Sequence, residues 1–476
     1  MGFRIYTFQG VRFWPPCERR TRGITPLSRE GALVGLSEKP YNEYVRWPIS
    51  DGTRALTDSQ TRERRPQRRY SSSNRDRKRA EIVAAAAEEI NAHGLHGLML
   101  ADVAAKVGMT KANLTYYFRR KEDLAAACVS QTLDAYRALV AEASQPPTAR
   151  ERLRTLYERF FERAARQAAG LEPPLVVLSS LQALGETQGA EAVDQYAALL
   201  RATIALFEAP DAPSLDRPRR RGRAQLALTH LFWAVAWSRQ IDPGDYPRSA
   251  RRLFEVVADG LSAPRETPRR DAVDVAAAAA APADPAAQRW AFYQAATRII
   301  NLMGYRGASV DRISAAVNLT KGSVYHHHQS KDDLVRACSD RSFEAMWAIM
   351  RAAEGTSEDP WTRLAAVVGA LTAFQTGEHG PFLRAVVLGA LPEHLGEGVL
   401  LQWARVTQHL AGLVSDAIAA GVARPVDPFL AAQVVAAAVN AADEIRSLTP
   451  DASPAEAGVL CSRAALFGLL SPLAEG

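Results

Sequence analysis

Cysteine is scarce: there are four in 476 residues, Cys17, Cys128, Cys338 and Cys461, far apart along the chain. That spacing offers neither a disulfide framework nor a paired metal knuckle, and it fits a reducing compartment. Long apolar stretches are missing too. No run approaches the roughly 18 residues that a membrane helix needs, and no signal peptide is visible. The expectation is a soluble, cytoplasmic protein with no membrane partner. Strand-like alternation of apolar and polar residues is lacking, which points away from sheets. There is no GxGxxG, no P-loop and no His/Cys/Glu cluster at ligand spacing. The sequence therefore predicts no catalytic residues, no cofactor and no metal, and a role other than enzyme.

Apolar residues make up 47% of the chain, enough to fill real cores, and the net charge is +6. An isoelectric point near 9.2 favours a polyanionic partner, although arginine-rich composition alone also reflects GC-rich coding. The length suggests several domains.

One stretch organises the rest. Ile82, Ala86 and Ile90 place an apolar stripe on a first helix, which His93-Gly94 ends. Leu100, Val103, Ala104 and Val107 mark a short second helix. Gly108 makes a tight turn, and Thr110 caps a third helix from Lys111 to about Phe118. Two short helices joined by such a turn form a helix-turn-helix, whose second helix can enter the DNA major groove. The stretch then recurs. Residues 292–334 lie on residues 82–124 without a gap, at an offset of 210 positions. Gly304 falls on Gly94, Val310 on Leu100, Ile313 on Val103, Val317 on Val107, Thr320-Lys321 on Thr110-Lys111, Lys331 on Lys121 and Leu334 on Leu124. A repeat this long is a duplicated domain rather than a solenoid array.

Both stretches resemble the N-terminal DNA-binding domain of tetracycline-repressor (TetR) family transcription regulators. The first copy carries Asp102-Val103-Ala104, Gly108-Met109-Thr110-Lys111, Tyr117-Phe118 and Lys121-Glu122-Asp123-Leu124. The second carries Ile313-Ser314-Ala315, Thr320-Lys321-Gly322-Ser323-Val324-Tyr325, His327 and Lys331-Asp332-Asp333-Leu334. The motifs cover about a fifth of the chain, and the helical segments after each would be the family's effector domains. Three positions depart from the family pattern. Thr115 stands where a tyrosine follows the recognition-helix leucine. Asn318 replaces the turn glycine, a mild change because asparagine tolerates a left-handed backbone. His328 replaces a core phenylalanine and must find a polar partner or weaken that core. Whether the second head binds DNA is therefore open.

The expected fold class is all-α, with two tandem helical units, each a helix-turn-helix head followed by a helical effector/dimerisation domain. Residues 1–73 read as a disordered basic tail, with a start codon assigned too far upstream as the other reading. The first head spans 74–124 and its effector domain 125–262. Residues 263–287 form an Ala/Pro-rich, semi-stiff linker. The second head spans 288–334 and its effector domain 335–476. After the first head, helices are expected at 123–140, 149–167, 175–184, 190–207, 224–240 and 246–261, with a loop at 208–223. After the second, they are expected at 334–353, 360–375, 382–391, 398–420, 428–447 and 455–470.

Affinity for double-stranded DNA comes mostly from phosphates, met by Lys, Arg and backbone N–H groups at helix N-termini. Thr110 and Lys111 open the first recognition helix, Thr320 and Lys321 the second. Ala112, Asn113 and Thr115, and in the second head Gly322, Ser323 and Tyr325, occupy groove-facing positions, with Tyr116 and Tyr117 following in the first head. Asparagine suits adenine, and a small side chain suits the thymine methyl. The resemblance adds backbone contacts by Lys121 and Lys331. The basic run Arg75, Arg77, Lys78 and Arg79 reads as an arm along phosphates or into a minor groove, or else as a charged helix start. His326, His327 and His328 point about 100° apart on a helix and cannot converge on one metal ion. His326 is a candidate phosphate contact or a neutral helix end. Trp233 and Trp237 share a helix face, as core or dimer-interface packing or as pocket lining.

The functional expectation is a sequence-specific, ligand-responsive repressor. The resemblance supplies a small apolar or amphipathic effector, with no pocket residues identified. The two units would pair through their last two helices as an intramolecular pseudo-dimer on an asymmetric operator. Two alternatives stand beside it: a homodimer in which only the first head binds DNA, and an interaction protein that binds no DNA.

Overall fold

The computed structural model describes residues 67–178, 186–263, 286–316, 330–384, 387, 391–448 and 453–472. The architecture is all-α, as expected, with no strand among the described residues. The first repeat contains α1 (Gln67–His93), α2 (Leu100–Lys106), α3 (Lys111–Tyr117), α4 (Lys121–Ala143), α5 (Ala149–Ala168), α6 (Glu186–Ala205), α7 (Arg217–Trp237) and α8 (Tyr246–Asp259). The second contains α9 (Ala286–Gly307), α10 (Val310–Ala316), α11 (Lys331–Glu354), α12 (Pro360–Thr376), α13 (Glu393–Ala419), α14 (Pro428–Leu448) and α15 (Pro454–Phe467). No helix among these is long and apolar enough to cross a membrane.

Local chemistry sets the helix starts. Thr148, Asp216 and Asp359 accept the backbone N–H three residues on, and Ser330 with Asp333 and Ser453 with Glu456 close capping boxes. Asp216 also corrects one expectation. Residues 217–223 do not belong to a loop, because this cap with Pro218 in the first turn starts α7 at Arg217. The tail boundary moves as well: α1 begins at Gln67, so residues 67–73 are helical. The linker expected at 263–287 lies outside the described residues except for its ends, Ala263, Ala286 and Ala287.

The helices expected at 175–184 and 382–391 do not start where the sequence places them; residues 179–185, 385, 386 and 388–390 lie outside the described residues, and Val387 is helical. Residues 173–178 and 381–384 are irregular, with Leu175, Val176, Pro381, Phe382 and Leu383 buried. Side chains, not helical carbonyls, take their backbone groups. Asn91 Nδ2 donates to Leu175 O and Val177 N donates to Asn91 Oδ1, both at 2.8 Å. Val176 N donates to Thr132 Oγ1 at 3.0 Å. In the second repeat Asn301 Nδ2 donates to Phe382 O and Arg384 N to Asn301 Oδ1, both at 2.8 Å, while Leu383 N donates to Ser342 Oγ at 2.9 Å. Asn301 and Ser342 lie 210 positions after Asn91 and Thr132. Each clamp ties the first helix of a head to its helical body.

The bodies are ordinary helical cores. Tyr136 meets Phe232 edge-on at 4.8 Å and Phe161 meets Tyr246 at 5.6 Å. In the second repeat Phe374 stacks on Phe382 at 4.3 Å. Each such buried aromatic removes enough apolar surface from water to stabilise the fold by about 1.5–3 kcal/mol.

The last two helices of each repeat pack on one another, α7 and α8 against α14 and α15. Trp233 donates from Nε1 to Gln433 Oε1 at 2.9 Å and meets Trp403 edge-on at 6.0 Å. Trp237 is buried against Phe161 and Phe429. Of the two readings of this tryptophan pair, packing is the one realised. Tyr196 Oη donates to Gln225 Oε1 at 2.7 Å, and Gln225 Nε2 donates to Glu444 Oε2 at 3.4 Å. Glu444 also pairs with Arg384.

Where α8 and α15 end, the two backbones touch. Gly260 (φ 69°, ψ −161°) and Gly468 (φ 87°, ψ 160°) adopt a region that glycine alone enters readily. Leu261 N and Ser262 N donate to Leu466 O at 2.8 and 3.0 Å, while Leu469 N donates to Val257 O at 2.8 Å and Leu470 N to Ala258 O at 3.1 Å. This near-reciprocal exchange continues into an antiparallel bridge between Ser262 and Ala423. Arginines from the opposite repeat cap each end. Arg424 Nη1 donates to Gly260 O at 2.9 Å, and Arg223 Nη1 to Leu469 O at 2.6 Å.

Candidate nucleic-acid interface

In the first head the turn and both short helices form as the sequence requires. Val103 and Ala104 of α2 and Leu114 of α3 are buried. Gly108 takes φ 65° with open space around it, so backbone conformation rather than crowding demands glycine. Thr110 accepts from Asn113 N at 3.2 Å. This cap leaves Lys111, Ala112 and Asn113 exposed on the first turn of α3. The Thr115 hydroxyl, half-buried, donates to Ala112 O at 2.7 Å and is committed to its own helix. Tyr116 is 69% exposed, and half-buried Tyr117 packs against the core with Tyr116 edge-on at 5.3 Å. The outward surface of α3 is thus Thr110, Lys111, Ala112, Asn113 and Tyr116. Thr110→Val keeps the shape and removes the capping acceptor. It is expected to cost about 1 kcal/mol of unfolding free energy, measured by urea denaturation.

Arg75, Arg77, Lys78 and Arg79 lie within α1, so the basic run is a charged helix start, the second of the two readings. Lys78 Nζ donates to Glu81 Oε2 at 3.0 Å and to Val107 O at 3.3 Å, tying α1 to the end of α2. The Arg79 guanidinium lies 4.8 Å from the centre of the Phe118 ring. Arg77 remains exposed on the helix surface. Lys121 sits half-buried in the first turn of α4. Beside it, Arg119 and Arg120 are exposed, the latter held by Asp123 at 2.8 Å. Neither arginine fills a motif position, so residue pattern alone does not single them out.

The second head is described in part. In α10, Ile313 is buried and the Ser314 hydroxyl donates to Val310 O at 2.7 Å. Gly304 takes φ 70° and ψ 174°, matching φ 74° and ψ 165° at Gly94. Thr320, Lys321, Gly322, Ser323, Tyr325 and His326 lie outside the described residues, as do Asn318, His327 and His328. Lys331 opens α11 with its ammonium 4.5 Å from the Tyr305 ring centre. The Tyr305 hydroxyl bonds the neighbouring Asp332, and His394 Nε2 lies 2.6 Å from its other oxygen. These contacts, the tyrosine first, hold the Asp332 carboxyl below the usual carboxylate range. Lys331 thus sits in a cluster with an acidic member. Lys121 has Glu122 at the matching position. Among the described residues no group of three or more His, Cys, Asp or Glu is placed to hold a metal ion.

A family model described as "Bacterial regulatory proteins, tetR family" matches the chain twice, over residues 82–128 and 292–338. No curated protein matches the sequence. Solved structures similar to the chain include PfmR, a TetR family transcriptional regulator from Thermus thermophilus, at 24% identity and a TM-score of 0.32, covering 37% of this chain and 98% of that one. AibR in complex with isovaleryl coenzyme A and operator DNA is similar at 22% identity and a TM-score of 0.32, over 38% and 98% of the two chains. FadR from Bacillus subtilis in complex with stearoyl-CoA is similar at 17% identity and a TM-score of 0.28, over 37% and 94%.

Proposed function

The chain carries the DNA-binding domain of the tetR family of bacterial regulatory proteins twice, in tandem, and from that premise we propose a transcription regulator whose two units act as one covalent pseudo-dimer. The observation that carries this reading is the contact where α8 and α15 end, with its near-reciprocal backbone hydrogen bonds and the paired glycines. A homodimeric regulator joins two identical copies across a self-complementary surface. Here the two surfaces belong to one chain and are unlike. Trp233 faces Gln433, and Gln225 faces Glu444. Unlike faces favour pairing within the chain over pairing with a second copy. The heads differ too, with Lys-Ala-Asn-Leu-Thr-Tyr from Lys111 and Lys-Gly-Ser-Val-Tyr-His from Lys321. Two unlike half-sites on successive major grooves follow from that difference.

Repression controlled by a small apolar or amphipathic effector completes the proposal. Such an effector works only by binding the DNA-competent and incompetent states with different affinity. The Asn91 and Asn301 clamps, which join head to body, are the contacts through which that difference would reach the heads.

The test is a gel-shift titration on the DNA upstream of the protein's own gene at two salt concentrations. The wild type is run beside Lys111→Ala and Lys321→Ala. Each variant is expected to bind more weakly and to flatten the salt dependence by about one unit, as loss of one phosphate contact does. Loss from Lys111→Ala alone, with a dimer of chains by light scattering, would replace this reading. The second unit would then be a sensing or interaction module, consistent with His328 at the position of a core aromatic.

A further inference from the structure

The second clamp has an attachment that the first lacks. In each repeat one residue donates the backbone N–H that meets the clamping asparagine oxygen, Val177 in the first and Arg384 in the second. Valine offers no polar group on its side chain. The Arg384 side chain is only 18% exposed, and its guanidinium pairs with Glu444 of α14. The other Glu444 oxygen accepts from Gln225 Nε2 of α7 at 3.4 Å, a bond that crosses from the second repeat into the first. Gln225 is buried and its amide is fully used. Nε2 also donates to Thr229 Oγ1 at 3.3 Å, and Oε1 accepts from the Tyr196 hydroxyl of α6 at 2.7 Å. Burial pushes Tyr196 up to about 12, so that hydroxyl keeps its proton and donates at neutral pH.

These contacts form one chain of polar groups, from Asn301 on α9 through Arg384, Glu444 and Gln225 to Tyr196 on α6. Hydrogen bonds joined in this way strengthen one another in a low-dielectric interior. An ion pair taken out of water adds little net stability, yet loss of one partner is costly because the other charge is left unpaired. Arg384 therefore cannot leave Glu444 cheaply, and Glu444 is held by an amide whose other contacts belong to α6 and α7. The backbone of Arg384 holds the second head and its side chain holds the first repeat. The first clamp is self-contained by comparison: Asn91, Thr132 and residues 175–177 all lie in one repeat.

We infer that Arg384 is a positioning residue for the second head, fastening its clamp to Gln225 and Tyr196 of the first repeat. A shift of α6 or α7 reaches α9 through this chain, whereas the first head is set within its own repeat. The first body thus acts on both heads, on its own through Asn91 and on the other through Arg384, and by linkage the second head acts back on α6. The fastening stands without the pseudo-dimer reading, and only its effect on operator binding rests on that reading.

The experiment is amide hydrogen exchange on the full chain without DNA, under conditions where the rate reports the free energy of local opening. The N–H groups of Leu383 and Arg384, held by Ser342 and Asn301, report the second clamp. Those of Val176 and Val177, held by Thr132 and Asn91, report the first. Tyr196→Phe keeps the ring and removes one hydroxyl from the first repeat. It is expected to speed exchange at Leu383 and Arg384 roughly fivefold, the worth of one ordinary hydrogen bond, and to leave Val176 and Val177 within about twofold of wild type. Arg384→Met is expected to speed exchange at Leu383 by roughly tenfold or more, because it also strands the Glu444 charge. In the Arg384→Met background Tyr196→Phe should add nothing at Leu383, since the chain is already broken. The inference is overturned if Tyr196→Phe leaves Leu383 and Arg384 unchanged, if it speeds both clamps alike, or if the effects of the two substitutions add. Should Arg384→Met fold poorly, the contrast between the two clamps in Tyr196→Phe decides alone. No DNA enters the measurement, so its outcome is separate from that of the gel-shift titration.

Discussion

Replacing Gly260 with alanine is expected to lower the unfolding free energy by about 4 kcal/mol or more, whereas Gly421→Ala is expected to cost about 1–2 kcal/mol. Both glycines have positive φ, so both substitutions carry the strain of placing a Cβ in a conformation that L-residues avoid. They differ in what the methyl group meets. At Gly421 nothing lies within 4 Å. At Gly260 a Cβ would press into the Phe467 carbonyl carbon and the Gly468 nitrogen, both backbone atoms of the other repeat. Backbone cannot rotate out of the way as a side chain can. The ends of α8 and α15 would have to separate, and the four backbone bonds between them would lengthen, each worth about 1 kcal/mol. Gly468→Ala meets Ala258 O and Gly260 N in the same way and should match Gly260→Ala. Urea denaturation of the three variants decides the point. A loss at Gly260 no larger than at Gly421 would mean that the repeats do not approach so closely. Because the contact joins the units, Gly260→Ala should also loosen operator binding while leaving the first head's own fold intact.

Much of this arrangement is legible in the sequence because it rests on strictly local rules. The period of Ile82, Ala86 and Ile90, the cap at Thr110 and the glycines at 94 and 304 each state a backbone requirement in a single residue type. The duplication multiplies that information, since a gapless offset over residues 82–124 makes every core position testable twice. What escaped the pattern has a common cause. Leu175, Val176, Val177 and Leu178, like Phe382 and Leu383, form short apolar runs that periodicity cannot distinguish from buried helix. Their conformation is decided by Asn91 and Asn301, more than 80 positions away in the chain, whose side-chain amides replace helical hydrogen bonding. Likewise the run Arg219-Arg220-Arg221 looks like loop until Asp216 and Pro218 are recognised as a helix start. The Arg341 guanidinium lies 4.1 Å from the centre of the Trp290 ring, a pairing invisible in sequence because only the packing of α9 on α11 brings the two together.

His230 should make the interface acid-sensitive, and its removal should flatten the pH dependence of stability. The imidazole is buried on α7 beside the Val434 backbone of α14, with its Nδ1 3.4 Å from the Tyr157 hydroxyl. Burial disfavours the charged ring and pushes its pKa down from 6.5 to about 4, against a smaller opposing contribution from the Val434 backbone. Between those two values the unfolded chain binds a proton that the folded chain does not. Stability is therefore fully present above pH 6.5 and falls as the pH drops toward 4, by about 3 kcal/mol in all at 1.36 kcal/mol per pH unit. Paired carboxylates such as Asp259, whose burial is outweighed by the Arg150 bonds that lower its pKa, lose their contribution only at still lower pH, below the carboxylate range. Glu456, whose Ser453 bonds lower its pKa from 4.5, begins to contribute at the lower end of this window, and it does so equally in a variant without the imidazole, so the difference between the two proteins isolates the histidine. His230→Gln stays neutral throughout, so unfolding free energies of wild type and variant should diverge across that window, the wild type losing about 3 kcal/mol more. Parallel curves would place the His230 ring in contact with water and would remove it from the packed face between α7 and α14. If the curves diverge as expected, operator binding should weaken over the same pH range in the wild type alone. The protonated ring would be most easily accommodated by separating the two units, and with them the spacing of the heads.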